Sequence, residues 1–161
     1  MNGMNEEAKR KILRNIPYGL YVIGVKAGET HHAFTGSWLS QCSMKPPRVM
    51  LGVKHDTHSH DLLEQGKVFT VNFLSKDDRK ILEQFFKPVP SNGNRFGDLG
   101  YRLKKTGAPI LDAAIAYLEC EIKSIVDAGD HSIVIGEVVG AEILKEANPL
   151  IMSDTPWHYG G

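Results

Sequence analysis

Cysteine is scarce in this sequence, and no long apolar run occurs in it. Only Cys42 and Cys120 are present among 161 residues, and a chain of this length can build a core without a covalent bridge. We therefore expect two reduced thiols and a reducing compartment, with a single disulfide as the alternative. The N-terminal residues are charged, and no segment approaches the roughly eighteen apolar residues that span a bilayer. These absences predict a cytoplasmic protein without a membrane segment.

An excess of charge of either sign is also missing. Lysine and arginine number 19, and aspartate and glutamate number 19, so the chain has no basic field that would attract nucleic acid or an anionic membrane. It has no nucleophile elbow, no glycine-rich phosphate loop and no paired carboxylates in an interpretable context. Hydrolase and kinase chemistry are unsupported, and neither a nucleic acid nor a membrane is an expected partner.

The sequence pattern is dominated by short β-type segments joined by turns. Asn5, followed by acidic and then basic residues, predicts an N-terminal helix. Thr57 or Ser59 can cap a second helix that Gly66 ends, and Ser75 opens an amphipathic third helix that runs to residue 88. Strands are predicted at 18–26, 30–40, 49–53, 68–73, 114–125 and 132–144.

These elements predict a fold that is mainly β. Six or seven strands joined mostly by short turns, with three helices, favour an antiparallel, Greek-key-like barrel with peripheral helices over a doubly wound sheet. Residues 88–100 are rich in Pro, Gly, Asn and Ser and predict a long surface loop, a candidate lid. We expect one domain over residues 1–161, with its core at about 16–144.

The segment 35–43 is unusual because hydroxyl and amide side chains alternate with larger apolar ones. In a strand, Thr35, Ser37, Leu39, Gln41 and Ser43 would share one face. Such a polar face can simply be solvated. Alternatively, a flavin ring suits it, because the pyrimidine edge offers carbonyls and ring nitrogens to these groups, while glycine at position 36 permits close approach of the backbone.

The segment 54–60 lies between a strand end and a helix start. Free N–H groups and a positive helix dipole favour an anion there, so a phosphate is one prediction. The alternative is that Thr57 and Ser59 are only a helix cap, and Asp56 is an unfavourable neighbour for a phosphate.

Histidine is concentrated in the same segment. His55, His58 and His60 raise the possibility of zinc. No CxxC or HExxH pattern accompanies them, and the two cysteines are distant in sequence, so we expect surface histidines and no metal. A further histidine, His131, follows a Gly-Asp turn, where it can contact a substrate or have no role beyond the turn.

Three separated blocks carry a family resemblance. Residues 33–47 (AFTGSWLSQCSMKPP), 106–121 (TGAPILDAAIAYLECE) and 129–136 (GDHSIVIG) resemble, in order and spacing, the flavin reductase-like family of FMN-binding split barrels. The resemblance extends over about residues 16–144. It implies an FMN-binding split β-barrel that forms a homodimer with FMN near the subunit interface.

The resemblance also implies roles for individual residues. His131 would lie beside the flavin where nicotinamide or another substrate stacks, orienting it as the catalytic residue, while Arg95 and Phe96 would lie at the mouth of the site or in a mobile solvent loop. In the family, the phosphate segment usually carries more Ser, Thr or Arg than this one, so Thr57 is the strongest phosphate candidate. The residues implied to contact FMN are Thr35, Gly36, Ser37, Trp38, Ser40, Gln41, Cys42, Ser43, Lys54, His55, Thr57 and His58.

Three functional hypotheses follow. The first is an NADH- or NADPH-dependent FMN reductase that supplies electrons to a partner monooxygenase or other redox protein. The second is a non-catalytic FMN electron carrier of the flavoredoxin type. The third is a small-ligand or metal-binding barrel without a flavin, because fold does not fix function. Near the end of the sequence, Trp157 or Tyr159 would cover the partner's flavin or pack on the surface.

Overall fold

A computed structural model describes residues 3–161 of the chain. Three α-helices and ten strands occur in this range. Asn5 caps the first helix by accepting a hydrogen bond from the backbone N–H of Ala8 at 3.0 Å, as the sequence predicts. The helices are α1 (Glu6–Arg14), α2 (His58–Gly66) and α3 (Arg79–Glu83). The strands are β1 (Tyr21–Ala27), β2 (Thr30–Gly36), β3 (Leu39–Met44), β4 (Pro47–Lys54), β5 (Val68–Phe73), β6 (Arg95–Phe96), β7 (Leu99–Arg102), β8 (Ile110–Leu111), β9 (Ala116–Asp127) and β10 (His131–Ile143).

Seven strands form one antiparallel sheet in the order β2-β1-β5-β9-β10-β4-β3. Its two edges, β2 and β3, follow each other along the chain, yet no ladder joins them within residues 3–161. The sheet is therefore a split barrel rather than a closed one. This confirms the predicted mainly β, antiparallel fold with peripheral helices.

Apolar side chains pack on both faces of the central strands. On β1, Ile23 and Val25 belong to one cluster together with Phe69, while Val22 points into a second cluster beneath the short strands β6 to β8. Burial on both faces explains why β1 is a dense apolar run rather than an alternating one. None of the helices in the described residues is long and apolar enough to cross a membrane.

The structure corrects the predicted strand at 30–40. The chain leaves β2 at Gly36 and enters β3 at Leu39, at the opposite edge of the sheet. Ser37 and Trp38 lie in the crossing, where the Trp38 carbonyl accepts a hydrogen bond from Gly52 at 2.8 Å. Because one face of a sheet cannot continue where the chain changes from one edge to the other, the alternation predicted across residues 35–43 is wrong.

Other boundaries also differ from prediction. The third helix, α3, ends at Glu83 and does not run to residue 88. Residues 88–100 are not wholly irregular, because β6 and the start of β7 form a small hairpin there. Helix α2 includes Gly66, and Lys67 takes the left-handed conformation, with φ of 61°, that ends the helix. A Cβ atom at position 66 would collide with the backbone carbonyl of Lys26, so glycine is required for close packing of the helix against β1.

Candidate functional site

A pocket of about 520 Å³ opens where β2 and β4 end and α2 begins. This volume is in the range of sites that enclose a ligand of cofactor size. One end carries polar side chains, and the other is walled by aromatic rings. The lining residues are Leu20, Phe34, Thr35, Gly36, Ser37, Trp38, Gly52, Val53, Lys54, Thr57, Ser59, Phe85, Phe86, Met152, Trp157, His158 and Tyr159.

The polar end is the first turn of α2. The Thr57 hydroxyl accepts a hydrogen bond from the backbone N–H of His60 at 3.2 Å and donates one to the carbonyl of Lys54 at 2.9 Å. The helix is nine residues long, and its first N–H groups have no partner within the helix. Together with the helix dipole and the Lys54 ammonium group, these donors make this end of the pocket suited to an anion.

His32 positions a second hydroxyl in this end of the pocket. Its Nε2 atom lies 2.8 Å from the Ser59 Oγ atom. Burial, and then the nearby His58, lower the pKa of His32 from 6.5 to about 4. The ring is therefore neutral at physiological pH and holds Ser59 without adding a positive charge.

The aromatic end contains a hydrogen-bonded chain of three residues. The Asp130 carboxylate lies 2.7 Å from the His131 Nδ1 atom, and the Nε2 atom of the same ring lies 2.6 Å from the Tyr159 hydroxyl. A carboxylate only accepts, so Nδ1 donates, and in the neutral ring Nε2 accepts from the tyrosine. The hydrogen bond from His131 lowers the pKa of Asp130, whereas burial and then the Asp130 charge raise the pKa of Tyr159.

Trp38 forms the wall between the pocket and this chain. Its ring centroid lies 4.5 Å from that of His131 and 4.9 Å from that of Tyr159. Across residues 3–161, its indole Nε1 is the one buried side-chain nitrogen or oxygen atom without a hydrogen-bond partner. An indole N–H only donates, and leaving it unpaired costs about 1–3 kcal/mol.

The pocket fits a flavin mononucleotide by the chemistry of these groups. A flavin carries carbonyls and ring nitrogens that accept hydrogen bonds, a flat apolar ring and a terminal phosphate. The Thr35 and Ser37 hydroxyls match the hydrogen-bonding edge, the aromatic walls match the flat ring, and the Thr57 end matches the phosphate. Thr35, Gly36, Ser37, Trp38, Lys54 and Thr57 are therefore brought together as the sequence analysis expected of a binding site.

Glycine at position 36 is required by packing. A Cβ atom there would approach the Ile23 and Leu51 side chains to 2.8 and 3.3 Å. Both are core residues, so the absent side chain faces the interior of the barrel.

Other predicted residues lie outside this pocket. His58 faces His32, with ring centroids 5.3 Å apart. His131 is buried behind Trp38 rather than in the pocket lining. His55 borders a separate polar pocket together with His60 and Ser132. Four residues of β3, at an edge of the sheet, are also outside it: Ser40, Gln41, Cys42 and Ser43.

Arg95 and Phe96 form the short strand β6. Phe96 is fully buried and packs edge-on against Phe85, which lines the pocket, with ring centroids 5.7 Å apart. It therefore supports the pocket wall from behind. Arg95 is exposed and donates to the backbone carbonyl of Asp98 within its own hairpin.

The final residues cover the pocket of their own chain. Trp157 packs edge-on against Phe86 at 4.7 Å, and the Arg79 guanidinium lies over its ring. Tyr159 is held by His131. We define the tail as residues 157–161. Trp157 and Tyr159, considered from sequence as a cover for the partner's flavin, line the pocket of their own chain. The pocket residues that were not assigned to the site from sequence include Ser59, Phe85, Phe86 and His158. Ser59 carried a signal, because it lies two residues after Thr57 in the same capping segment.

Comparison with known proteins identifies the family to which this fold belongs. A family model described as a flavin reductase like domain matches residues 13–159. The chain belongs to this family. The match includes α1 in part and most of the tail, and it is therefore wider than the resemblance recognised at residues 16–144.

The flavin reductase-like domain has relatives among longer proteins. It is 35% identical over 136 residues to diflavin flavoprotein A 1 of Synechocystis sp., covering 84% of this chain and 24% of that protein. It is 30% identical over 142 residues to the high molecular weight rubredoxin of Moorella thermoacetica, covering 87% of this chain and 62% of that protein. The chain thus spans about a quarter of the length of the diflavin relative.

Solved structures share the fold over nearly the whole domain. The flavin reductase component of a bacterial two-component tryptophan halogenase is 28% identical, with a TM-score of 0.80 over 91% of this chain and 92% of that one. An NADH:FAD oxidoreductase of Streptomyces globisporus, in complex with NAD and FAD fragments, is 27% identical, with a TM-score of 0.80 over 92% of this chain and 87% of that one.

Proposed function

We propose that this flavin reductase-like domain binds FMN in the 520 Å³ pocket and works as an NADH- or NADPH-dependent flavin reductase that supplies electrons to a partner oxygenase or other redox protein. The observation that carries the proposal is the juxtaposition, in one pocket, of an anion-binding helix start at Thr57 and aromatic walls that include Trp38. Two structural relatives named as a flavin reductase component and an NADH:FAD oxidoreductase support it.

Residues at the two ends of the pocket would bind different parts of FMN. Thr57, Ser59 and the free N–H groups of α2 would bind the phosphate, with Lys54 contributing positive charge. Thr35, Ser37 and Trp38 would orient the ring. Bound FMN would supply the redox chemistry, accepting two electrons as a hydride from nicotinamide. The protein would supply orientation and a partly dry site.

His131 would act on the substrate side of this site. Asp130 fixes the proton on Nδ1, so the neutral ring presents Nε2 as an acceptor. In this structure that atom is engaged by Tyr159. A nicotinamide that stacks beside the flavin would therefore compete with the tail for His131, and opening of the tail would precede binding of the electron donor.

Absorbance under anaerobic conditions tests the proposal directly. Purified protein incubated with FMN should retain a flavin spectrum after gel filtration. Mixing that complex with NADH, and separately with NADPH, in a stopped-flow instrument should bleach the flavin band with one donor or both. FMN that stays oxidised with both would refute the reductase function while leaving FMN binding intact.

A bound-FMN electron carrier is the second candidate. Its specific support is that the domain covers only 24% of a diflavin flavoprotein and 62% of a rubredoxin, so such domains occur in longer proteins whose names include other redox centres. A carrier would be reduced by another redox protein and not by nicotinamide. A colourless protein that also fails to bind added FMN would favour the third candidate, a small-ligand barrel.

We further propose that residues 1–161 form one domain and that the protein is a cytoplasmic homodimer. Large apolar side chains are exposed at Met44 of β3 (87%) and Ile143 of β10 (69%), and a dimer would cover apolar surface of this kind. Residues of β3 such as Ser40 and Gln41 could then face the partner's FMN. Cys42 and Cys120 are unpaired, consistent with a reducing compartment. Light scattering should give twice 17.8 kDa, and a monomer at micromolar concentration would refute the dimer.

A further inference from the structure

His32 is buried behind the polar end of the flavin pocket. It lies on β2, and only 6% of the residue is exposed. Its Nε2 atom lies 2.8 Å from the Oγ atom of Ser59. Ser59 lines the pocket, whereas His32 does not. The imidazole ring therefore acts on a bound ligand through this hydroxyl group.

The direction of the hydrogen bond between His32 and Ser59 depends on the ligand. A hydroxyl group has one proton to donate. A phosphate oxygen beside Ser59 accepts that proton, so the Oγ atom then has to accept a hydrogen bond from the Nε2–H group of His32. The result is a chain from the ring through the hydroxyl group to the phosphate. Because the phosphate is negatively charged, this chain is stronger when the ring carries a positive charge.

The elements around His32 present positive or neutral groups to it. His58 of α2 lies edge-on to the ring, with centroids 5.3 Å apart. Phe34, on the same strand, stacks against it at 6.1 Å, and Val25 is its uncharged neighbour on β1. On β4, Lys54 lines the same end of the pocket. None of these groups compensates a positive charge on the ring.

Carboxylates are also missing from this environment. Across residues 3–161, the histidine rings that pair with a carboxylate are those of His55, His60 and His131, and His32 has no such partner. Burial, and then the nearby His58, accordingly hold the pKa of His32 at about 4. A phosphate at Ser59 would supply the negative charge that these surroundings lack.

We propose that His32 is a positioning residue that takes up a proton when FMN binds and, through Ser59, favours flavins that carry a phosphate. This inference rests on the proposed FMN site. The proton comes from solvent and returns to it when FMN dissociates. In the complex, the protonated ring fixes Ser59 as a donor to the phosphate and places a positive charge behind it. Riboflavin, which has the same ring system but no phosphate, would gain nothing from this charge.

Quenching of FMN and riboflavin fluorescence by the full chain, measured across acidic and neutral pH, tests the proposal. If the phosphate restores the ordinary pKa of His32, FMN affinity of the unmodified protein relative to His32→Gln should rise roughly 10- to 30-fold between about pH 7.5 and about pH 5. The FMN phosphate takes up a proton of its own near about pH 6, but it does so with both proteins, so this effect cancels in the comparison. Riboflavin should show no such rise.

Two further variants separate positioning from a merely structural role. Ser59→Ala should weaken FMN binding and abolish the pH-dependent difference between H32Q and unmodified protein, because His32 acts through the Ser59 hydroxyl group. His58→Gln is a change at an exposed position and keeps the test valid if H32Q does not fold. It removes a positive charge beside His32, so the rise in FMN affinity should move to higher pH.

The outcomes distinguish this inference from the proposed function. A protein that binds neither FMN nor riboflavin would refute the FMN site, and the role of His32 with it. FMN binding with parallel pH profiles for the unmodified protein and H32Q would refute the role of His32 alone. An equal rise for riboflavin would also refute it, because the proton would then not be linked to the phosphate.

Discussion

Because His32 is neutral in the folded protein, we predict that the free energy of unfolding decreases in acid. In the folded protein the pKa of His32 is about 4, whereas its ordinary value is 6.5. Between these values the unfolded chain binds more protons than the folded one, so the free energy of unfolding decreases as the pH falls from about 6.5 to about 4. At about 1.4 kcal/mol per pKa unit, this one residue contributes at most about 3 kcal/mol, and about 2 kcal/mol after allowance for solvent screening.

His32→Gln isolates this contribution. Glutamine can still pair with Ser59 but cannot take up a proton, so the variant should lose about 2 kcal/mol less stability than the unmodified protein between pH 7 and pH 4. Urea unfolding of both proteins across this range measures the difference, and effects of other titrating groups cancel in the comparison. Parallel stability curves for the unmodified protein and the His32 variant would refute the reasoning. With FMN bound the difference should shrink, because a phosphate beside Ser59 favours the protonated ring.

Three further outcomes are expected. Thr57→Ala should weaken FMN binding about 10- to 150-fold, since a hydrogen bond to a charged group contributes about 1.5–3 kcal/mol. Quenching of FMN fluorescence measures this, and Ser124→Ala, on the exposed surface of β9, should leave it unchanged. Tyr159→Phe removes the 2.6 Å hydrogen bond to His131 and should lower the free energy of unfolding by about 1 kcal/mol. It should also speed flavin reduction by NADH, because the tail opens more readily. A slower reduction would count against tail opening. The buried Glu119 carboxylate accepts hydrogen bonds from the backbone N–H and the hydroxyl of Thr106, both at 2.9 Å. Glu119→Ala leaves these half-buried donors unpaired, and thermal unfolding should show a loss of about 1–3 kcal/mol.

Local sequence patterns were sufficient to predict most helices and strands of this domain. The β5 strand at Val68–Phe73 begins and ends where its apolar pattern does, and Thr57 caps α2 as its position predicts. Such features depend on side chains a few residues apart, which the sequence displays directly. The small β6–β7 hairpin at 95–102 was missed, because its residues read as a loop and are held by burial of Phe96 and Tyr101 against the second core cluster.

The composition and motifs predicted the broad class, and the family resemblance predicted the split barrel and the grouping of residues 35–38 with Lys54 and Thr57, which line one pocket. Only the tertiary structure decided which residues lie close enough in space to act together. Trp38 and Leu39 are adjacent in the chain but lie where it crosses from one sheet edge to the other. His131 and Tyr159 are far apart in sequence yet hydrogen-bonded. The physical reason is that antiparallel pairing and burial place residues by sheet order, and sheet order is set by long-range packing that no local pattern records.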